Sequence, residues 1–187
     1  MNTTDTVAGR GLEALRAAIT GQVSVPGEAG YDQARQAWNL AVDQRPAVVV
    51  EAGSAADVAQ AVRYARARRI RIAPQGTGHG AGPLEPLDGA MLLRTARMRT
   101  VHIDPAARTA RAGAGAVWQD VIVPAAQHGL AALAVTAANA GVTGVHPGRR
   151  AGPAENQSRL RPGPGHHLRP SRPAGPALTT QVGTGRG

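Results

Sequence analysis

Ala73-Pro74-Gln75-Gly76-Thr77-Gly78-His79-Gly80 contains three glycines within five positions and follows a short alternating run of Arg and Ile. Glycine lets a backbone turn tightly and approach a ligand closely, because it has no Cβ. Successive N–H groups in such a turn form a concavity that suits phosphate oxygens. The pattern predicts a ligand-binding loop with His79 inside it. The same composition is also typical of ordinary surface turns, so the flanking residues are needed to distinguish a binding loop from a surface turn.

The residues before this loop predict a strand–helix–strand unit. Residues 47–51 form a β-branched run of strand length, and Ser54 is a favourable N-cap for the helical pattern over 55–67. A second strand is predicted at 69–73, so the loop 74–80 leaves its carboxyl end, where open α/β sheets bind ligands. We therefore expect the two strands to be parallel neighbours covered by the helix, with the loop at the sheet edge beside a cleft.

Further elements are predicted on both sides of this unit. Apolar periodicity and turn residues indicate, in chain order, helices at 12–20 and 31–39, a buried strand at 90–93, a hairpin of 101–103 with 109–112, a helix at 117–128 and a strand at 130–135. Pro124 inside the last helix predicts a kink or a broken last turn. His102 alternates with apolar neighbours, which predicts an outward-facing side chain.

The composition limits the kinds of site. The 187 residues include no Cys, which excludes disulfides, thiolate metal sites and a cysteine nucleophile. No metal site is predicted. No apolar stretch approaches the ~18 residues of a membrane helix, so no membrane partner is expected. Residues 1–6 lack the features of a secretory signal, which favours a cytoplasmic location.

The positive charge is concentrated in the last quarter of the chain. The formal net charge is +9, yet residues 1–144 carry 14 Arg against 11 acidic residues. Residues 145–187 carry seven Arg against the single acid Glu155, and they are rich in Pro and Gly. That composition predicts a disordered tail. A basic tail that neutralises nucleic-acid phosphates is the alternative function, which the lack of aromatic residues in the tail disfavours.

Several ordered pieces resemble the FAD-linked oxidases with a p-cresol methylhydroxylase-type FAD-binding domain, the superfamily of vanillyl-alcohol oxidase and the berberine-bridge-like enzymes. The pieces, over residues 12–144, are Pro26-Gly27, Tyr31-Asp32, Ala34-Arg35, Trp38-Asn39, Arg45-Pro46-Ala47, Asp57-Val58, Ala61-Val62, Gly76–Gly80 and Gly141–Gly144. The resemblance implies the α+β fold class, specifically the N-terminal part of such a domain, with the βαβ unit, the hairpin and a disordered C-terminal tail.

The resemblance also implies a cofactor, FAD, and two segments that contact it. The implied cofactor-binding residues are Pro74, Gln75, Gly76, Thr77, Gly78, His79, Gly80, Gly141, Val142, Thr143 and Gly144. His79 matches the histidine that many relatives bond covalently to the flavin 8-methyl carbon. Relatives with two covalent links use a cysteine for the second, so this chain is limited to one.

Relatives of this kind oxidise small organic substrates and continue for hundreds of residues into a substrate domain. The resemblance therefore implies a partial FAD-binding domain at 1–144 that is inactive alone, and no catalytic base is assigned. The family pattern after Gly144 continues Tyr-Thr-Leu-Gly-Gly-Gly-Leu-Gly, whereas this chain reads Val-His-Pro-Gly-Arg-Arg-Ala-Gly. When the codons of this chain's string are read one base later, and their degenerate positions are chosen freely, they encode the family's string. Residues 145–187 are accordingly predicted to be read out of frame, as a product without function of its own.

Overall fold

The computed structural model describes residues 10–82, 86–132, 137–145 and 177–182, which belong to two compact units. The first unit ends at Met98 and the second begins at Arg99. The elements are α1 (Arg10–Ala18), β1 (Gln22–Ser24), α2 (Tyr31–Ala34), β2 (Val48–Glu51), α3 (Ala55–Arg68), β3 (Ile72–Gln75), β4 (Met91–Arg94), β5 (Val101–Asp104), β6 (Thr109–Ala112), α4 (Trp118–Ala126), β7 (Ala131–Ala132), α5 (Val142–Val145) and β8 (Ala177–Val182).

The described sheet of the first unit has the strand order β1-β2-β4-β3. β4 is parallel to both β2 and β3, and β1 is antiparallel to β2. The predicted strands therefore share one parallel sheet, but the prediction that they are neighbours is wrong, because β4 lies between them. Met91, Leu92 and Leu93 are buried, which suits a central strand. β3 lies at the edge of the sheet and contains Pro74. Because proline has no N–H group to donate to a further strand, an edge position suits it.

The second predicted strand also begins later than expected. Helix α3 extends to Arg68, and Arg69 follows it with a left-handed backbone (φ 56°) that ends the helix. Because the helix end uses residues 68–69, the strand occupies Ile72–Gln75. Pro74 and Gln75, which were predicted to begin the loop, are therefore the last residues of β3, and the loop proper starts at Gly76.

The faces of this sheet follow the period of two that strands impose. Val48 and Val50 belong to the buried cluster with α1 and α3, whereas Val49 packs on the opposite face with Tyr31 of α2. The predicted N-cap is confirmed, because Ser54 Oγ accepts from the Asp57 backbone N–H at 3.1 Å. The predicted helix over 31–39 is shorter than expected: α2 ends at Ala34, and the chain beyond it leaves the helix.

The Asp57 side chain fastens the start of α3 to the end of α1. Its carboxylate accepts from the backbone N–H groups of Thr20 at 3.0 Å and Gly53 at 2.9 Å, and from the Thr20 hydroxyl. Burial acts to raise the pKa of Asp57, but these hydrogen bonds outweigh it and lower the pKa to about 2. The carboxylate therefore stabilises the first unit as long as it is ionised.

The second unit contains the predicted hairpin, with β5 antiparallel to β6 and with Ile103 opposite Ala110. His102 is exposed, as predicted. Helix α4 packs Trp118 and Val121 into the core of this unit. Asp120 accepts from the Val117 N–H at 3.0 Å and pairs with Arg99, and the Arg99 guanidinium lowers the pKa of this carboxyl.

The structure describes only parts of the C-terminal region. Of the strand predicted at 130–135, the structure contains β7, and residues 133–136 lie outside the described residues. Within the tail 145–187, whose disorder stays a prediction, residues 177–182 form β8, parallel to β6 and β7. These six residues, Ala-Leu-Thr-Thr-Gln-Val, lack the Pro, Gly and Arg of their surroundings and favour a strand. Residues 146–176 and 183–187 lie outside the described residues.

Candidate cofactor-binding site

The loop after β3 is shaped by a glycine that no other residue replaces without strain. Gly78 has a left-handed backbone with φ 84°. A Cβ at this position would lie 2.3 Å from Gln75 Nε2 and 3.0 Å from both Ala37 Cα and the Trp38 backbone N. The loop therefore closes tightly over the Gln75 side chain and the residues around 37–38. This confirms the tight turn that the spacing of the glycines predicts.

His79 is held by two neighbours. Its ring stacks on the Trp38 indole with centroids 4.4 Å apart and an interplanar angle of 17°. Its Nδ1 lies 2.8 Å from Thr77 Oγ1. The nitrogen lone pairs lie in the plane of the imidazole ring, so a stack on the face of the ring leaves them accessible. Within the described part of the chain, Nε2 has no hydrogen-bond partner.

Trp38 lies beyond the end of α2, although it falls within the helix predicted at 31–39. Its side chain is 60% exposed, which is unusual for a tryptophan. It stacks on His79, which is exposed as well. The piece Trp38-Asn39 was a signal in the sequence, but the sequence could not identify the partner of the indole.

Polar side chains converge at the carboxyl edge of the first sheet. Gln75 ends β3 and lies opposite Arg94, which ends β4. Both amide atoms of Gln75, and Arg94 Nε, are buried without a hydrogen-bond partner among the described residues. Arg94 Nη1 donates to the carbonyls of Ala34 at 2.8 Å and Gln36 at 2.6 Å, which fastens the segment after α2 to the sheet.

Arg94 is a residue that the sequence analysis missed. Burial lowers the pKa of its guanidinium, and the charge of Glu51, opposite it on β2, acts to raise that pKa. An arginine still remains charged under such conditions. The signal in the sequence was a charged residue directly after a buried apolar strand, at the edge where the loop was predicted.

The second predicted segment, 141–144, lies in the second unit and has a different character. Val142 is fully buried, and its N–H donates to the Ala116 carbonyl at 2.9 Å. The Thr143 hydroxyl donates to the Ala114 carbonyl at 2.9 Å. A Cβ on Gly144 would meet no atom within 4 Å. Two polar groups of the segment 141–144, the Val142 N–H and the Thr143 hydroxyl, are thus bonded inside the second unit.

Comparison with known proteins identifies the family. The family model described as FAD binding domain matches residues 46–157. The chain belongs to this family of FAD-binding domains. (R)-6-hydroxynicotine oxidase of Paenarthrobacter nicotinovorans is 36% identical over 129 residues, which are 69% of this chain and 26% of that protein. An uncharacterized FAD-linked oxidoreductase of Bacillus subtilis is 26% identical over 127 residues, covering 68% of this chain and 28% of that protein.

Solved structures give the same result. The crystal structure of 6-hydroxy-D-nicotine oxidase from Arthrobacter nicotinovorans superposes with a TM-score of 0.59 at 33% identity, over 66% of this chain and 27% of that one. Aclacinomycin oxidoreductase superposes with a TM-score of 0.56 at 25% identity, over 65% and 25%. The chain thus spans about a quarter of the length of these relatives. The predicted fold class and the predicted FAD-linked oxidase family are confirmed.

The residues of the loop fit an FAD-binding role. The left-handed Gly78 leaves no room for a Cβ, so a backbone without side chains is exposed to an approaching ligand at this turn. The domain is therefore an FAD-binding domain of the flavin-dependent oxidoreductases. The comparisons give no support to the nucleic-acid alternative. Among the described residues, no helix is long and apolar enough to span a membrane.

Proposed function

We propose that this chain is the FAD-binding part of a flavin-dependent oxidase that acts on small organic molecules. The family match supports the cofactor, and the similarity to oxidases of 6-hydroxynicotine supports the substrate class. When bound, FAD accepts the hydride that the substrate loses. The observation that carries the proposal is the His79 ring, fixed by Trp38 and Thr77 within a glycine loop that has no room for larger residues.

Residues 74–80 would hold the cofactor from the first unit, and residues 141–144 would supply a second contact. In the first segment the contacts come from loop N–H groups and from the Gln75 side chain. In the second, the Thr143 hydroxyl already donates to a backbone carbonyl. The Val142 N–H is also bonded, to the Ala116 carbonyl. We therefore propose that this segment contacts FAD through its remaining backbone groups, beside which Gly144 leaves open space.

His79 is the proposed attachment point of a covalent flavin. Trp38 covers a face of the ring and Thr77 Oγ1 lies 2.8 Å from Nδ1, so Nε2 is the nitrogen that would hold the flavin. Attachment to the 8-methyl carbon would require the loss of two protons and two electrons, with dioxygen as the acceptor. The contribution of this chain is to hold the imidazole in one orientation, so that little conformational freedom is lost when the bond forms.

The test is the flavin content of the purified 187-residue chain, followed by titration with FAD monitored by flavin fluorescence. We expect the 187-residue chain to bind FAD only weakly, and any flavin that remains attached in a denaturing gel to be attached at His79. His79→Ala should release all its flavin on acid or heat treatment, whereas His102→Ala, which changes an exposed strand histidine of the second unit, should behave like the parent chain. Covalent flavin in His79→Ala would contradict the attachment site. A parent chain that neither contains nor binds FAD would contradict the proposed function.

We also propose that residues 145–187 are encoded out of frame and carry no selected function, so their arginines are not a nucleic-acid site. The support is the agreement of the shifted codons with the family continuation after Gly144. The family match extends to residue 157, beyond this predicted boundary. Sequencing of the coding DNA is the test. The proposal fails if the alternative frame near codon 144 does not open into a long continuation of the FAD-linked oxidase type.

A further inference from the structure

The two ring nitrogens of His79 have different surroundings. Nδ1 lies 2.8 Å from Thr77 Oγ1, whereas Nε2 has no hydrogen-bond partner among the residues that the structure describes. The Trp38 indole stacks on the face of the ring at a centroid distance of 4.4 Å, so it occupies neither nitrogen. The Thr77 and His79 side chains meet across Gly78, whose left-handed backbone (φ 84°) shapes the turn between them. The ring is thus held by Trp38 on its face and by Thr77 at Nδ1.

The Thr77 hydroxyl determines which nitrogen of His79 carries the proton. A neutral imidazole has an N–H on one nitrogen and a lone pair on the other, and a hydroxyl can either donate or accept. If the hydroxyl accepts, the proton lies on Nδ1 and the lone pair on Nε2; if it donates, the positions are reversed. The distance of 2.8 Å suits both arrangements. Only the first arrangement gives the unoccupied nitrogen a lone pair.

Attachment of a flavin requires that first arrangement. The Nε2 lone pair would form the bond to the 8-methyl carbon, in place of a hydrogen that leaves as a proton. The Nδ1 proton leaves as well, and the two electrons pass to dioxygen, which takes up both protons as hydrogen peroxide. Nδ1 then has a lone pair, to which the same Thr77 hydroxyl can donate after rotation about its C–O bond. One side chain therefore serves the imidazole before and after the bond forms.

We propose that Thr77 is the positioning residue for flavin attachment: its hydroxyl accepts from Nδ1–H of His79 and thereby keeps the lone pair on Nε2. The attachment rests on the proposed function, whereas the position of the proton does not. Trp38 fixes the plane of the ring, and Thr77 fixes which nitrogen in that plane is the nucleophile.

Nuclear magnetic resonance of the cofactor-free 187-residue chain tests the position of the proton. Two-bond ¹H–¹⁵N correlations distinguish the two tautomers of a neutral histidine, at about pH 9, where a histidine of ordinary pKa is neutral. We expect the proton of His79 on Nδ1 in the parent chain. Thr77→Val keeps the branched shape and removes the hydroxyl, so the tautomer ratio should shift toward Nε2–H by about fivefold, the effect of one typical hydrogen bond.

Two comparisons show whether the hydroxyl is responsible. Thr77→Ser retains the hydroxyl and should retain the Nδ1–H tautomer. His102, an exposed histidine of the second unit, should keep its own tautomer ratio in every variant. A proton of His79 on Nε2 in the parent chain would overturn the proposal, and so would an unchanged ratio in Thr77→Val.

Reaction with iodoacetamide tests the reactive nitrogen without a flavin. The reagent alkylates a nitrogen lone pair with loss of iodide, and the chain has no cysteine that would compete for it. We expect His79 of the parent chain to be alkylated at Nε2 and that of Thr77→Val at both nitrogens, as determined by separating the products after acid hydrolysis. Alkylation of the parent chain mainly at Nδ1 would contradict the proposal.

A measurement with FAD separates the role of Thr77 from the proposed function. After incubation with FAD in air, we expect Thr77→Val to form covalent flavin about fivefold more slowly than the parent chain, and Thr77→Ser at the parent rate. An equal rate in Thr77→Val would overturn the role of Thr77 in attachment. A parent chain that has the Nδ1–H tautomer and reacts at Nε2 but binds no FAD supports the position of the proton and contradicts the proposed function.

Discussion

The two glycine segments expected to contact FAD differ in how their polar groups are satisfied. In the loop after β3, Gly78 needs its left-handed backbone, and the Gln75 amide beneath it has no partner in the described structure. In the segment 141–144, the Val142 N–H and the Thr143 hydroxyl are bonded to carbonyls of the same unit. A Cβ on Gly144 would also meet open space. Both segments contain closely spaced glycines, but their polar groups differ in whether they have hydrogen-bond partners.

This difference shows what marks a ligand site beyond the presence of glycine. Glycine allows close approach of a ligand, and the left-handed Gly78 backbone distinguishes the first loop from the second segment. By this criterion we propose the first loop as the main cofactor contact among the described residues. The second segment is a backbone surface whose side chains serve their own unit.

Gly78→Ala is expected to have the largest effect. A left-handed backbone at a residue with a Cβ costs roughly 1–2 kcal/mol, and the displacement of Gln75 and Trp38 raises the total to about 3 kcal/mol. FAD binding should be lost, as measured by fluorescence titration, because the loop has to open. Gly144→Ala is the matched replacement in the second segment, and it should change neither stability nor affinity appreciably. A tolerated Gly78→Ala would remove the distinction between the two segments.

Asp57→Asn is expected to have an intermediate effect that depends on pH. The folded-state pKa is about 2, below the unfolded value of 3.8. The ionised carboxylate therefore contributes stability above pH 3.8, and this contribution is lost as the pH falls toward 2. By linkage it is about 2 kcal/mol at neutral pH. Denaturant unfolding at a series of pH values should give a large difference between parent chain and variant at pH 7 and a small one at pH 2.

Asp88→Asn is the control for this measurement, because Asp88 is exposed in the same unit. Its replacement should leave the pH dependence of the parent chain unchanged. A difference between Asp57→Asn and the parent chain that stays constant from pH 7 to pH 2 would contradict the role of the ionised carboxylate. The pH dependence would then be a property of the first unit, because Asp57 supports helix α3, which precedes β3 and the first loop.

Thr143→Val is expected to have the smallest effect. The replacement keeps the shape of the side chain and removes the hydrogen bond to the Ala114 carbonyl, which is worth about 1 kcal/mol. The second unit should become slightly less stable in thermal melting, with unchanged FAD affinity. Reduced FAD affinity at unchanged stability would mean that the hydroxyl contacts the cofactor, and the contrast between the two segments would disappear.

The sequence predicted local features well where neighbouring residues decide them. Ser54 with Asp57 predicted the start of α3, and the turn at 104–108 predicted the hairpin of β5 and β6. The glycine spacing predicted the loop around His79. Each of these depends on contacts a few residues apart, so the chemistry of a short stretch is sufficient.

The amino-acid sequence by itself determined helix α3, the strands β2, β4, β5 and β6, and the position of the glycine loop, because periodicity, caps and turn residues act locally. Only the tertiary structure decided that β4 lies between β2 and β3, and that this places Arg94 beside Gln75. It alone also brought Trp38 onto His79, from the far side of two strands and a helix. Gln75 and Arg94 are 19 positions apart in the chain, and Trp38 and His79 are 41 positions apart. Whether such distant residues meet depends on which apolar strand occupies the buried centre of the sheet, and no short stretch of sequence encodes that.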